Sequence, residues 1–276
     1  MGLGLFEKLS ESIDMHQDVA LITITNHPEC TVIGTKFILQ KNGEIYDENQ
    51  FSKRLHAKLT EYCLPLLMED KTKTIQIEFD GMRIECYVEV FPVPPHLIVA
   101  GAGHVSETVA DVGKMLDFRV TVIDDRKDFA NKKRFPQVDE VVCSSYTDFF
   151  RNVPITPKTY ILLLTRGHKF DVVSLQELLK REENMLVEER TIYIGMIGSR
   201  RRISGVFEQL KDEFTDHNFT NMYSPVGLDI GAQTPAEIAI SIMAEILKVK
   251  NDSSGNSLKN KIRSYANLKF RERLYK

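Results

Sequence analysis

Cysteine is scarce in this chain of 276 residues, with only Cys30, Cys63, Cys86 and Cys143. They are scattered and form no Cys-x-x-Cys pair, which argues against a disulfide framework and for reduced thiols in a cytoplasmic protein. No residue is assigned to a metal. No run of about 18 apolar residues exists, so no transmembrane helix is expected. The opening "MGLGLFEKLSESIDMHQ" lacks the basic-then-apolar pattern of a signal segment. An excess of charge of one sign is also missing. Lys and Arg number 36 against 39 Asp and Glu, a formal net charge of -3, and nothing calls for nucleic acid or a membrane surface as partner. Long low-complexity tracts are absent. What remains is a chain 42% hydrophobic, long enough for one or two domains with a sizeable core.

The first ~90 residues mix helix and hairpin signals. Phe6, Leu9 and Ile13 fit one face of a short helix, as do Phe51, Leu55, Leu59 and Tyr62. "VALITITNH" reads as a strand and "KFILQKNGEIYD" as a hairpin turning at Asn42-Gly43. In "TIQIEFDGMRIECYVEV", apolar residues alternate on both sides of Asp80-Gly81, the pattern of a tight hairpin. A smaller α+β domain over residues 1–92 follows. "FPVPPH" then breaks the pattern with three prolines in four positions, a stiff connector that sets a domain boundary.

From residue 93 to 250 the grammar changes. "LIVAG", "FRVTVID", "DEVVC", "TYILLLT" and "TIYIGMIG" are short apolar runs separated by helical patterns. Val105, Val109, Val112 and Leu116 mark one helix, Val172, Leu175, Leu178 and Leu179 a second, and Ile203, Val206, Phe207, Leu210 and Phe214 a third. Strands alternating with helices predict an α/β fold with a Rossmann-like doubly wound parallel sheet. A last helix from Pro235 is apolar on most sides and is expected to be buried. Residues 251–276 hold a linker, "NDSSGNS", and a tail that from Leu258 has seven basic residues and one acid; the tail reads as solvated rather than as a docking arm.

Four stretches carry the candidate chemistry. "VAGAGHVSETVADV" places Gly101, Gly103 and Ser106 as G-x-G-x-x-S between a strand and a helix. Gly101 allows the tight turn, Gly103 lets a phosphate approach the backbone, and Ser106 is small enough for helix–strand packing. About 20 residues on, Asp124 and Asp125 end the second strand, where a carboxylate can accept from ribose hydroxyls; Asp124 is the first choice. "TRGHKFD" offers Thr165, Arg166, His168 and Asp171 after the fourth strand, with an ordinary loop capped by Asp171 as the plain reading. "GMIGSRRR" offers Gly195 and Gly198 as a turn, Ser199 as a cap, and three arginines at a helix start. Repeated positive charge there suits a bound anion or a solvated face. The face defined by Ile203, Val206, Phe207 and Leu210 puts Arg200 towards the crevice and Arg201 and Arg202 towards solvent or a partner protein. "SPVGLDIGAQTPAEIAI" adds Gly227, Asp229 and Gly231 before a helix with Thr234 as N-cap, Pro235 next and Glu237 completing a capping box. Together these turns suggest a crevice for a phosphorylated ligand.

"PPHLIVAGAGHVSETVADVGKMLDFRVTVIDDR", "RFPQVDEVV", "LLTRGHKFD", "YIGMIGSRRR" and "SPVGLDIGAQTPAEIAISIMAEI" resemble, in order and spacing from about Pro94 to Asn251, the xanthine dehydrogenase accessory factor (XdhC/CoxI) family. The resemblance implies a Rossmann-like domain behind a smaller N-terminal one. It implies a chaperone that binds molybdenum cofactor (molybdopterin) and assists its sulfuration and insertion into an apo molybdenum hydroxylase. A homodimer working with a cysteine desulfurase is implied as well. The matched motifs add His104, Arg126 and Gly167 to the cofactor-binding candidates. The family's S-G-G-C-x-E loop after the first hairpin is missing; "GEIYDENQFSKRLHAKL" stands there. This leaves a paralogue that only senses a nucleotide as one alternative. The other is an NAD(P)-dependent oxidoreductase using Gly101, Gly103 and Asp124, with His168 as acid–base.

Overall fold

The computed structural model describes residues 4–15, 17–48 and 51–260. The basic tail from 261 onward lies outside them. Contacts divide the chain into two compact units, Met1–Pro94 and Pro95–Lys276.

The first unit is one antiparallel sheet of five strands: β1 (Val19–Asn26), β2 (Lys36–Gln40), β3 (Ile45–Tyr46), β4 (Lys73–Phe79) and β5 (Met82–Phe91). Their order is β3-β2-β1-β5-β4. The β4–β5 hairpin turns at Asp80 and Gly81, both at positive φ, as the Asp-Gly signal demands. Alternation along β1 feeds two cores. Ala20, Ile22 and Ile24 face α2 (Lys53–Met68), and Val19 and Leu21 join Leu5 and Leu9 of α1 (Leu5–Asp14). The helix faces differ from the sequence-based expectation. Helix α1 buries Leu5, Leu9 and Ser12 while Phe6 and Ile13 are exposed. Helix α2 buries Leu55, Leu59, Cys63 and Leu67 while Tyr62 is exposed. Leu9, Leu55 and Leu59 are buried as expected and Phe51 packs on the core, while the flanking Phe6, Ile13 and Tyr62 are left exposed.

The second unit has six parallel strands: β6 (His96–Ala100), β7 (Arg119–Asp124), β8 (Glu140–Cys143), β9 (Thr159–Leu163), β10 (Tyr193–Met196) and β11 (Met222–Tyr223). The order β11-β10-β9-β6-β7-β8 is doubly wound from β6 outward. Its helices are α3 (His104–Met115), α4 (Tyr146–Asn152), α5 (His168–Glu183), α6 (Arg200–Leu210) and α7 (Pro235–Lys250). The unbroken apolar run of β6 now has its reason. Leu97 and Val99 enter a core shared with α3 and α7, and Ile98 and Ala100 enter the opposite core with α5 and α6. Helix α7 buries one side, Ala239, Ile242, Met243 and Ile246, and exposes Ile240, so it is less enclosed than its composition suggests. Strand β11 and helix α4 carry too few residues for a periodic signal.

Candidate functional site

In a doubly wound sheet the ligand crevice lies at the carboxyl ends of the strands where the winding reverses. Here that point is between β6 and β9, paired Ala100 to Leu163. The turn after β6 is held tightly on one side and left open on the other. Gly101 has φ +111°, and a Cβ on it would lie 2.3 Å from the Leu164 carbonyl oxygen. Only glycine fits. A Cβ on Gly103, by contrast, would meet nothing within 4 Å. Ser106, one turn into α3, is buried, as a small packing residue should be.

The helix starts fall into two classes. Helices α4, α6 and α7 are capped by side chains: Ser145 accepts from the Asp148 N–H, Ser199 from Arg202, and Thr234 from Glu237. Helices α3 and α5 start from Gly103 and Gly167 with no side-chain cap. These two are the helices that leave the β6 and β9 ends. Their first-turn N–H groups thus lack side-chain acceptors at the edge where doubly wound sheets generally bind ligands.

Asp124 is not available. Its carboxylate is fully buried. It accepts from the Ala102 N–H at 2.9 Å, the Arg126 N–H at 3.0 Å, Arg126 Nε at 2.8 Å and Arg126 Nη2 at 2.9 Å. A carboxylate offers about four acceptor positions, and all are used. Burial raises its pKa, but these bonds outweigh it and hold the group at about 2. The expected ribose contact is thus corrected: Asp124 is a strut that ties the glycine turn to the β7 end. Asp125 lies at the surface and forms a two-pronged ion pair with the Arg166 guanidinium, its longer arm 2.9 Å. Arg126 lies over the Phe129 ring at 3.6 Å and Arg166 over Phe170 at 4.0 Å, so the two guanidiniums are fixed in place.

Close to them lies a residue the sequence did not mark. The Tyr146 hydroxyl is buried and, among the described residues, has no hydrogen-bond partner. Burial, then the charges of Asp124 and Asp125, push its phenol above the usual range, while Arg166 and Arg126 oppose this. Only its place after a serine cap could have signalled it.

The other candidates take structural roles. Thr165 and Asp171 are buried; Thr165 Oγ1 donates to Asp171 Oδ1 at 2.6 Å. Arg202 Nε donates to Asp171 Oδ2 at 2.6 Å, and its Nη2 to the Thr165 carbonyl at 2.9 Å. The choice among the arginines is corrected: Arg202 is engaged, and Arg200 and Arg201 are exposed. The α6 face is centred on buried Val206 and Leu210, with Ile203 and Phe207 only partly covered. Four-residue spacing from Val206 leads back to Arg202, not Arg200. His168 lies against α6: a Cβ on Gly205 would be 3.1 Å from its Nε2, and Gln209 is 3.3 Å from the same nitrogen. It is not poised over the glycine turn as an acid–base. His104 is exposed at the start of α3.

Gly195 is a strand residue, not a turn. Its missing Cβ makes room for Val226, Leu162 and Tyr193. Gly198 packs over Arg202. Gly227 serves α7, since a Cβ there would strike Ser241 Oγ at 2.4 Å. The start of α7 supplies its own anion: Glu237 Oε2 accepts the Gln233 and Thr234 N–H groups at 2.8 and 2.9 Å. Its expected role as a donor to ligand is therefore corrected. Among the described residues no hydrogen bond joins Asp229, Gly231 or Thr234 to the 101–103 turn. A cavity of about 320 Å³ is at the opposite, amino-terminal edge of the sheet. The crevice at the carboxyl edge rests on topology and on helix starts without side-chain caps.

The model of the XdhC Rossmann domain matches residues 97–246. Over 177 residues the chain is 29% identical to the uncharacterized protein YqeB of Escherichia coli strain K12, covering 63% of this chain and 31% of that protein. It is 27% identical over 177 residues to a probable xanthine dehydrogenase subunit of Bacillus subtilis strain 168, covering 64% of this chain and 49% of that one. The matched region thus spans less than half the length of either relative. A crystal structure of a xanthine dehydrogenase from Bacillus halodurans superposes with a TM-score of 0.52 at 19% identity, over 95% of this chain and 99% of that chain. At that identity the likeness establishes the shared fold. By the match over its parallel sheet and the turns that serve it, this chain belongs to the XdhC family.

Proposed function

We propose that this chain is an accessory factor for a molybdenum hydroxylase of the xanthine dehydrogenase type. In this reading it binds molybdenum cofactor, or a related phosphorylated pterin or nucleotide, and hands it to the apo-enzyme. The observation that carries the reading is the pair of uncapped glycine starts, Gly103 and Gly167, at the point where the sheet reverses its winding. The residues fit the phosphate end of such a ligand. Open space stands over Gly103, and Arg126, tied to the same turn through Asp124, and Arg166 are held by their ring contacts. When bound, the cofactor supplies the metal and sulfur chemistry used by the client enzyme. This chain's share is to hold the phosphate on N–H groups and guanidiniums and to screen it from water.

The sulfur step does not fit the thiols. Cys63 and Cys86 are buried, and burial pushes both up to about 12, so neither is a ready nucleophile. Cys30 and Cys143 are exposed and lie outside any Gly-Gly-Cys loop. Sulfur delivery is therefore assigned to a partner cysteine desulfurase, and a homodimer is proposed as the working unit. The NAD(P) oxidoreductase reading is the weaker one, since Asp124 is saturated and His168 is turned to α6.

The test is analysis of the species that co-purify with the chain, by pterin fluorescence, molybdenum and nucleotide content. It is combined with Gly103→Val. A phosphorylated pterin should bind the wild type, and Gly103→Val should weaken it roughly tenfold or more, since each ~1.4 kcal/mol lost is tenfold. The urea midpoint should be unchanged. Equal affinity of both proteins for every pterin and nucleotide tried would overturn the site.

A further inference from the structure

The cavity at the amino ends of β10 and β11 serves none of the roles of the carboxyl edge. Glu182, in the last turn of α5, lines it and is only 4% exposed. Two donors reach its carboxylate. One is the Asn221 amide, at 3.2 and 3.3 Å from the two oxygens; the other is the Thr191 N–H. That leaves acceptor positions unfilled on a group that offers about four. No Lys, Arg or His lies within ion-pair distance of it among the described residues. Arg190 lines the same cavity and its charge acts on Glu182 from beyond contact distance, while its Nε and Nη2 donate to the Met185 carbonyl at 3.2 and 3.1 Å.

The other buried carboxylates are treated differently. Asp124 has Arg126 and Asp171 has Arg202 in direct contact. A buried charge is costly unless it is paired; burial pushes the Glu182 and Asp171 carboxyls up alike, but only Asp171 has a guanidinium in contact to offset the cost. The cavity wall next to it is suited to a carbon body. Tyr223 lines it, with one ring face stacked on Tyr193 at 4.5 Å. Val187 and Ile192, both exposed, line it as well.

We propose that this cavity binds a small organic cation, an alkylguanidinium or alkylammonium, with its N–H groups on Glu182 and its carbon body against Tyr223, Val187 and Ile192. The charge supplies a counterion in direct contact, where Arg190 acts only from a distance, and the N–H groups fill the open acceptor positions. The volume of about 320 Å³ is at the small end of ligand sites and suits a ligand of a few carbons. The site is independent of the Gly103 turn, so its ligand is expected to bind whether or not that turn is occupied.

The test is calorimetric titration of the full chain with n-butylguanidinium. Two controls accompany it: tetramethylammonium, which has charge without N–H, and n-butylurea, which has N–H without charge. Wild type should bind n-butylguanidinium at least tenfold more tightly than either control. Glu182→Gln should weaken it at least tenfold. Glu182 also holds Asn221, so a second variant guards against misfolding. Val187→Trp, on the exposed rim, should block entry while leaving the urea midpoint in place. Failure of the wild type to bind, equal binding of the controls, or unchanged affinity in a folded Val187→Trp protein would each overturn the proposal.

Discussion

Two glycine-rich turns of the Rossmann-like unit look alike as sequence and differ in what they leave free. The turn after β6 ends at Gly103, whose helix has no side-chain cap. The turn before α7 ends at Thr234 with a complete capping box, and the Glu237 carboxylate already sits on its N–H groups. Both helix dipoles favour an anion. One helix carries its anion in its own sequence; the other has no side-chain cap. A strong helix-start signal therefore argues against a ligand site, because the better the cap, the fewer the donors that remain. Glu237 is held below the usual carboxylate range by the Thr234 and Gln233 backbone bonds, as expected of a bound anion.

The hardest way to break this contrast is at Gly101. Gly101→Ala places a methyl group 2.3 Å from the Leu164 carbonyl oxygen at a positive φ. It should cost about 3–5 kcal/mol, the range of severe backbone and packing conflicts. Urea denaturation measures it. A loss similar to that of the equivalent change at Gly103 would mean the turn has no tight side.

Asp124→Asn tests the strut. The folded carboxyl is held at about 2 against an ordinary 3.8. A depressed pKa stabilises the fold above pH ~4, and that stability is lost as the pH falls towards 2. The difference amounts to about 2 kcal/mol at neutral pH. The variant should therefore be weaker by about that much at pH 7, and its stability curve should be flatter between pH 4 and 2. Identical pH profiles for the two proteins would show that the carboxylate does not tie the turn.

The smallest effect is expected at the closed turn. Thr234→Ala removes the side-chain cap and should cost about 1 kcal/mol, read as a drop in thermal midpoint. Ligand affinity at the other turn should not change. A fall in ligand affinity would bring the 224–240 segment back into the site.

Local rules explain how much was legible. The parallel sheet could be read because two-sided burial writes unbroken apolar runs, as in residues 97–100, between helices of 3.6 periodicity. The need for glycine at 101 and the openness at 103 could be read because both belong to one short turn. The role of Arg202 was hidden because it depends on how α6 is rotated about its axis, and two neighbouring apolar stripes, through Ile203 and Val206, run side by side there. Tyr146 gave no signal, since a single aromatic after a strand is ordinary core.

The sequence by itself determined the fold class, the family and the position of the glycine turn after β6, because these rest on motifs and periodic patterns that each lie within one short stretch of chain and recur in order along it. Only the tertiary structure decided which groups there are still free. Whether Asp124 serves a ligand or the turn depends on Ala102 and Arg126 filling its lone pairs. Whether Glu182 is satisfied depends on Asn221 and Thr191 reaching it from other elements. Hydrogen-bond saturation is set by neighbours distant in the chain, and no local pattern records it.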